Sequence, residues 1–166
     1  MARIVLLGCG GSGKTTLARR LSARTGAPAI LLDAIWQDGW GEAEVPAFRE
    51  TLRALHAGEA WISDGNFAAV TFDLRLPRAT LVVWLDTPRW RCALRAMARV
   101  LHRGSDHRLA GLRKVLAFIR NFERVNRPRI ERLRKEHGPD VPAVHLKTAA
   151  EVESFLAAAR PELPRS

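Results

Sequence analysis

The chain has 166 residues, enough for one ordinary domain with a sizeable core and too few for a second. Two cysteines, Cys9 and Cys92, have neither the number nor the spacing of a disulfide scaffold or a zinc site, and no apolar run approaches the ~18–20 residues of a membrane span. Against 17 acidic residues stand 27 Lys and Arg, a formal net charge of +10 that points to anionic partners.

Met1-Ala2-Arg3 leads directly into an apolar β-type run, Arg3–Leu7, with no charged-then-apolar leader, so a cytoplasmic protein is expected. Immediately after it come Gly8-Cys9-Gly10-Gly11-Ser12-Gly13-Lys14-Thr15, a full match to G-x-x-x-x-G-K-[ST], and then a helical run, Lys14–Arg24. Strand, glycine loop and helix is the order that phosphate binding needs. Glycines let backbone N–H groups turn inward, and the new helix aims its positive end at the same point. Gly8, Gly10, Gly11, Ser12, Gly13, Lys14, Thr15 and Thr16 are therefore expected to cradle the phosphates of ATP. Lys14 would reach the β- and γ-phosphates and the Thr15 hydroxyl would ligate Mg²⁺.

A second strand is expected at Ala29–Leu32, ending on Asp33. A carboxylate there would face the γ-phosphate from the acceptor side and take or orient the proton of an attacking hydroxyl; the plainer role is a helix cap or turn former. Trp36 and Trp40 follow, either as stacking platforms or as ordinary core. After a helix over Pro46–Ala57, the strand Ala60–Ser63 ends on Asp64-Gly65-Asn66. An apolar run ending in aspartate downstream of a phosphate loop is the Walker B arrangement, which makes Asp64 a second Mg²⁺ ligand, unless Asp64-Gly65 is only a turn.

The fourth strand, Thr80–Leu85, runs into Asp86-Thr87-Pro88 and a helix over Pro88–His102. Residues 89–135 hold 15 Arg and Lys against three acids. Arg91, Arg95, Arg99 and Arg103 repeat every four residues along one helix side, where like charges repel unless anions face them. A phosphate clamp, a solvated face and a nucleic-acid patch are the three readings of this stretch. Gly104-Ser105-Asp106-His107-Arg108 breaks the helices, and a small lid is expected at about 103–110. A long helix over Leu109–Glu136, stopped by Gly138-Pro139, a fifth strand over Ala143–Leu146 and a last helix over Ala149–Arg160 complete the chain. Alternating strands and helices predict an α/β fold of three αβα layers around a five-stranded parallel sheet, one P-loop NTPase domain over 1–166.

The order of these parts resembles the adenylate-kinase-type nucleoside monophosphate kinases, and more closely their small relatives, the topology-modulation (FlaR-like) proteins. The resemblance is carried by Gly8–Thr15, by Leu32-Asp33 with Trp36 and Gly39-Trp40, by Trp61–Phe67 and by Trp84–Pro88, and it spans nearly the whole chain. It implies that Arg95 stacks on the donor adenine, that Arg99 grips phosphate, and that the Lys147-Thr148-Ala149 loop frames the base. Post-lid arginines that clamp the transferring group would lie among Arg120, Arg124, Arg127 and Arg129, with Arg127 the foremost. The lid is much shorter than in full adenylate kinases. The paired arginines of an AMP site are not evident either, since residues 33–58 hold only Arg49 and Arg53. The expected activity is ATP- and Mg²⁺-dependent phosphoryl transfer to a small acceptor, a nucleoside or nucleotide. The alternative is a nucleotide-gated ATPase that binds nucleic acid and modulates DNA topology.

Overall fold

Five short apolar runs become the five strands of one sheet in the computed structural model, which describes residues 2–37, 39–103 and 107–159, without the side chains of 99–103, 107–111 and 114. The strands are β1 (Arg3–Gly8), β2 (Ala29–Leu31), β3 (Trp61–Asp64), β4 (Leu81–Leu85) and β5 (Ala143–Leu146). Their order across the sheet is β2-β3-β1-β4-β5, and every pairing is parallel. The strand that feeds the glycine loop is thus central. Leu6 lies beside Asp64 and Gly8 beside Leu85, so the loop emerges between the ends of β3 and β4.

Parallel connections require crossovers, and helices supply them on both faces. They are α1 (Lys14–Thr25), the single turn α2 (Leu32–Ile35), α3 (Val45–Leu55), α4 (Ala68–Arg75), α5 (Arg89–Arg103), α6 (His107–Asn121), α7 (Arg127–His137) and α8 (Ala149–Ala158). Side chains alternate across a strand, so β1 feeds two cores. Ile4 and Leu6 join Leu17, Leu21, Val83 and Leu156 on the face covered by α1 and α8. Val5 and Leu7 join Phe48, Trp61, Phe72, Trp84 and Phe122 on the other. The expected α/β sheet with flanking helices is present.

Three local features depart from the sequence reading. The helix expected over Leu109–Glu136 is interrupted by a π-helical turn at Phe122–Asn126, across which the Arg127 N–H reaches Phe122 O. Pro128 at the start of α7 lacks the N–H that an unbroken helix would need there, which accounts for the break. A further helix, α4, follows β3 where the sequence reading assigned no element. Asp33 falls within α2 and not at the end of an extended strand. The expected lid at 103–110 lies outside the described side chains, and residues 104–106 lie outside the described chain. Among the described residues no helix is long and apolar enough to cross a membrane.

Candidate active site

Backbone geometry explains the glycines of the loop. Gly8, Gly11 and Gly13 have φ of +144°, +83° and +104°, values that side-chain-bearing residues rarely adopt. Space is limiting as well: a Cβ on Gly8 would come within 2.7 Å of Leu85 O, and one on Gly11 within 2.6 Å of Cys92 O. The loop is therefore pressed against the end of β4 and the first turn of α5. Gly13 caps α1, whose first turn carries no acidic residue to compete for an anion.

Lys14 is buried and its ammonium donates to Gly8 O and Cys9 O, both at 2.9 Å. Burial pulls this ammonium below its ordinary pKa, and the Asp64 and Asp33 carboxylates oppose the shift. The Thr15 hydroxyl donates to Asp64 Oδ2 at 2.6 Å, bringing the two expected metal ligands together. Asp64 Oδ1 is buried and has no hydrogen-bond partner among the described residues. Burial pushes the Asp64 carboxyl above the usual carboxylate range, while the Thr15 bond and the Lys14 charge pull it back. A hydroxyl and a carboxylate with one spare oxygen are the hard oxygen donors that Mg²⁺ prefers, usually together with waters and phosphate oxygens. These residues fit a magnesium-bound phosphate.

Two cavities open from the loop. One, of about 250 Å³, is lined by Ser12, Gly13, Thr16, Arg91, Arg95 and the Lys147-Thr148-Ala149 loop. Arg95 Nη1 also donates to Ser12 O at 3.2 Å, and Thr87 Oγ1 donates to the same carbonyl at 3.0 Å. The Lys147 loop is fixed by the cap of α8, where Glu151 accepts from Lys147 N at 2.6 Å and donates its own N–H to Thr148 Oγ1 at 3.2 Å. The other cavity, of about 260 Å³, is lined by Gly10, Lys14, Asp33, Asn66, Phe67 and Phe118. Asp33 is exposed at this cavity. Trp36 and Trp40 pack edge-on against each other, with Trp36 against Phe48 and Phe67, so they form the partly buried wall behind it.

The glycine loop thus stands between Thr16, Arg95 and Lys147 at one cavity and Asp33 at the other, with Asp64 bonded to Thr15. Arg127 does not join them. Its guanidinium sits 2.9 Å from Asp86 Oδ1, donates to Glu131 at 3.0 Å and Glu123 at 3.2 Å, and lies over the Trp84 ring. Arg127, expected to clamp phosphate, lines neither cavity, because three carboxylates already claim it. Arg99 lies in α5, and its side chain is outside the described residues. Cys9 is buried; its thiol is pushed well up, first by its hydrogen bond to Cys92 and then by burial, which leaves it neutral.

Three residues have roles that the sequence reading did not assign. Asn66 exchanges two hydrogen bonds with the backbone of Gly8, Phe118 of α6 walls the second cavity, and Arg75 is fully buried behind Asp64. Asn66 adjoins the aspartate of the β3 end, so its position was available as a signal; the other two depend on tertiary packing.

No protein-family model and no curated protein sequence matches this chain. Solved structures do. An unliganded sugar kinase from Janibacter sp. is 17% identical, with 95% of this chain and 93% of that one covered and a TM-score of 0.56. Shikimate kinase from Acinetobacter baumannii, in complex with shikimate, is 19% identical over 94% of this chain and 91% of that one, with a TM-score of 0.56. Shikimate kinase from Bacteroides thetaiotaomicron is 21% identical over 94% of both chains, with a TM-score of 0.53. The fold is that of small P-loop kinases.

Proposed function

We propose that this protein is a single-domain phosphotransferase that moves the γ-phosphoryl group of ATP, bound with Mg²⁺, onto a hydroxyl of a small acceptor such as a nucleoside. The observation that carries this reading is the pair of similar cavities on one phosphate loop, about 250 Å³ past Ser12 and Gly13 and about 260 Å³ past Gly10 and Lys14. A nucleotide switch needs only the first. A transferase needs both, with the lysine between them.

In this reading the first cavity takes the nucleoside of the donor, with Arg95 and the Lys147 loop around the base. Loop N–H groups and Lys14 hold the phosphates and stabilise charge that grows on the γ-phosphoryl oxygens. Bound Mg²⁺, held by Thr15 and Asp64, supplies further neutralisation of that charge. The acceptor oxygen bonds to the γ-phosphorus as the bond to the bridging oxygen breaks, ADP leaves, and Asp33 takes the hydroxyl proton. A hydroxyl is favoured over a phosphate acceptor on electrostatic grounds. Asp33 would repel a phosphate monoester, and Lys14 is the one cation lining the second cavity among the described residues. The Phe67 and Phe118 rings suit a flat or weakly polar acceptor. Kinship with the topology-modulation (FlaR-like) proteins belongs to the same proposal, since the segments that resemble them supply Asp33, Asp64 and Asn66.

The test is ADP formation from ATP and Mg²⁺ across nucleosides, nucleoside monophosphates and sugars, with Lys14→Ala as control. Acceptor-dependent, Lys14-dependent ADP with a phosphorylated product is expected, and nucleosides should outperform their monophosphates. ADP formation indifferent to every acceptor would sink the transferase reading. Joined to DNA binding that weakens steeply with salt, it would favour the nucleic-acid ATPase instead.

A further inference from the structure

Three arginines line the cavity past Ser12 and Gly13, and each is held differently. Arg20 on α1 makes a two-pronged ion pair with Glu153 on α8, at 2.5 and 2.7 Å. Arg95 on α5 donates to Ser12 O at 3.2 Å. Arg91, one turn before Arg95, has neither a hydrogen bond nor an ion pair among the described residues. Its guanidinium lies over the Trp90 indole, 5.0 Å from the ring centroid.

Sequence neighbours on a helix point about 100° apart, so this contact needs Arg91 to fold back across the ring beside it. The position is otherwise unfavourable for a cation. Arg91 stands in the first turn of α5, which carries no acidic residue, and Arg95 repeats the charge four residues on. An indole face attracts a cation placed this way, and does so better than the other aromatic side chains.

The rest of the cavity wall suits a flat ring. Leu17, Leu146 and Val152 supply apolar surface from α1, β5 and α8, and Glu153, the one acid in the lining, is taken by Arg20. A guanidinium is planar, so with one side on an indole its other side remains for a second aromatic ring. We propose that Arg91 stacks on the base of the donor nucleotide and that Trp90 is a positioning residue that holds Arg91 for that contact. The pair selects donors that carry an aromatic base over bare polyphosphate. This rests on the phosphoryl-transfer reading above, which sends the base of the donor to this cavity.

A double-mutant cycle in the full chain tests it, with affinities for ATP·Mg²⁺ and for tripolyphosphate·Mg²⁺ measured by calorimetry. Trp90 is 61% exposed, so its substitution spares the core. Trp90→Ala should weaken ATP·Mg²⁺ binding about two- to fivefold, the measure of one exposed cation–π contact, and Arg91→Ala roughly tenfold. Trp90→Phe, which keeps an aromatic face, should lose less than Trp90→Ala. In the Arg91→Ala background Trp90→Ala should matter less than about 1.5-fold, because no guanidinium remains to be held. Tripolyphosphate, which has no base, should bind the wild-type and Trp90→Ala proteins alike. A Trp90→Ala loss that is absent, equal in both arginine backgrounds, or equal for tripolyphosphate would overturn the inference and leave the phosphotransferase reading intact. ATP·Mg²⁺ affinity indifferent to Lys14→Ala as well as to Arg91→Ala would overturn both.

Discussion

The Thr15 hydroxyl donates to Asp64 Oδ2 across 2.6 Å, joining the first turn of α1 to the end of β3. Sequence separation between the two is large, yet β1 and β3 run side by side in parallel and deliver both residues to the same edge. Asp64 Oδ1 has no hydrogen-bond partner among the described residues, and in the proposed reading the pair shares a cation. In the wild-type protein Mg²⁺ should strengthen ATP binding. In Thr15→Ala and Asp64→Asn that benefit should fall at least about tenfold, as seen in titrations with and without a chelator. An undiminished Mg²⁺ effect in both variants would place the metal elsewhere.

A histidine behind the site gives a pH-dependent stability. His56 is buried, its Nδ1 donates to Leu52 O at 2.7 Å, and its Nε2 accepts from the Ser63 hydroxyl at 2.9 Å. Ser63 in turn accepts from Arg75, so the chain of donors runs from Arg75 through Ser63 to His56. Burial, aided by the nearby Arg75 and Arg78 charges, lowers the His56 pKa to about 4 from an ordinary 6.5. Between these values the unfolded chain binds the proton more readily, so stability is full above pH 6.5 and declines as pH falls toward 4. The loss attributable to this residue reaches about 3 kcal/mol. His56→Gln should flatten that part of the urea-stability profile; an unchanged slope would remove His56 as its cause.

Two glycines separate conformational strain from steric exclusion. Gly26 has φ +80° at the end of α1 with nothing within 4 Å of a would-be Cβ. Gly26→Ala should cost only the left-handed penalty, about 1–2 kcal/mol. Gly11 has a similar φ of +83°, but its Cβ would lie 2.6 Å from the Cys92 carbonyl. Gly11→Ala should lose a further ~1–3 kcal/mol in urea melts as α5 is pushed away, and nucleotide affinity should fall with it. Equal losses at the two positions would mean that the contact with α5 gives way freely.

Arg95 and Arg127 should fail in different ways. Arg95 lines the cavity past Ser12 and Gly13 and holds Ser12 O, so Arg95→Ala should weaken ATP binding roughly tenfold with little change in melting temperature. Arg127 is bound to Asp86, Glu123 and Glu131, so Arg127→Ala should lower stability by about 1–2 kcal/mol and leave nucleotide affinity within about twofold. Affinity lost in Arg127→Ala without loss of stability would return that arginine to the phosphates.

Residues whose chemistry is local are legible in the chain itself. The glycine loop declares itself because the backbone at Gly8, Gly11 and Gly13 and the lysine that follows them leave few other residue types possible, and Asp64 follows because it ends β3 at the same edge of a parallel sheet. The interruption before Pro128 was also written in the chain, but the next clear stop signal, Gly138-Pro139, made the stretch read as one continuous helix. Arg75 was not legible. A lone arginine in an ordinary amphipathic segment gives no sign that it will be entombed, its pKa lowered to about 9 by burial, to hold the backbone of Gly65 and Asn66. Arg127 shows the opposite limit: its place after the expected lid suggested phosphate by resemblance, and the acids that capture it come from just past β4 and from its own helical neighbourhood.

The aromatic residues have an optical consequence. The chain contains five tryptophans and no tyrosine, so indoles dominate its near-ultraviolet emission. Trp61 and Trp84 are sealed in the core. Trp36 touches Phe67 on the wall of the Asp33 cavity, with ring centroids 5.9 Å apart, whereas Trp90 is exposed beneath the guanidinium of Arg91, which lines the other cavity. Trp61 and Trp84 form a constant background, Trp36 with its edge-on neighbour Trp40 stands beside one cavity, and Trp90 stands beside the other. Trp36→Phe and Trp90→Phe would therefore assign a fluorescence change to one chamber or the other without any added label.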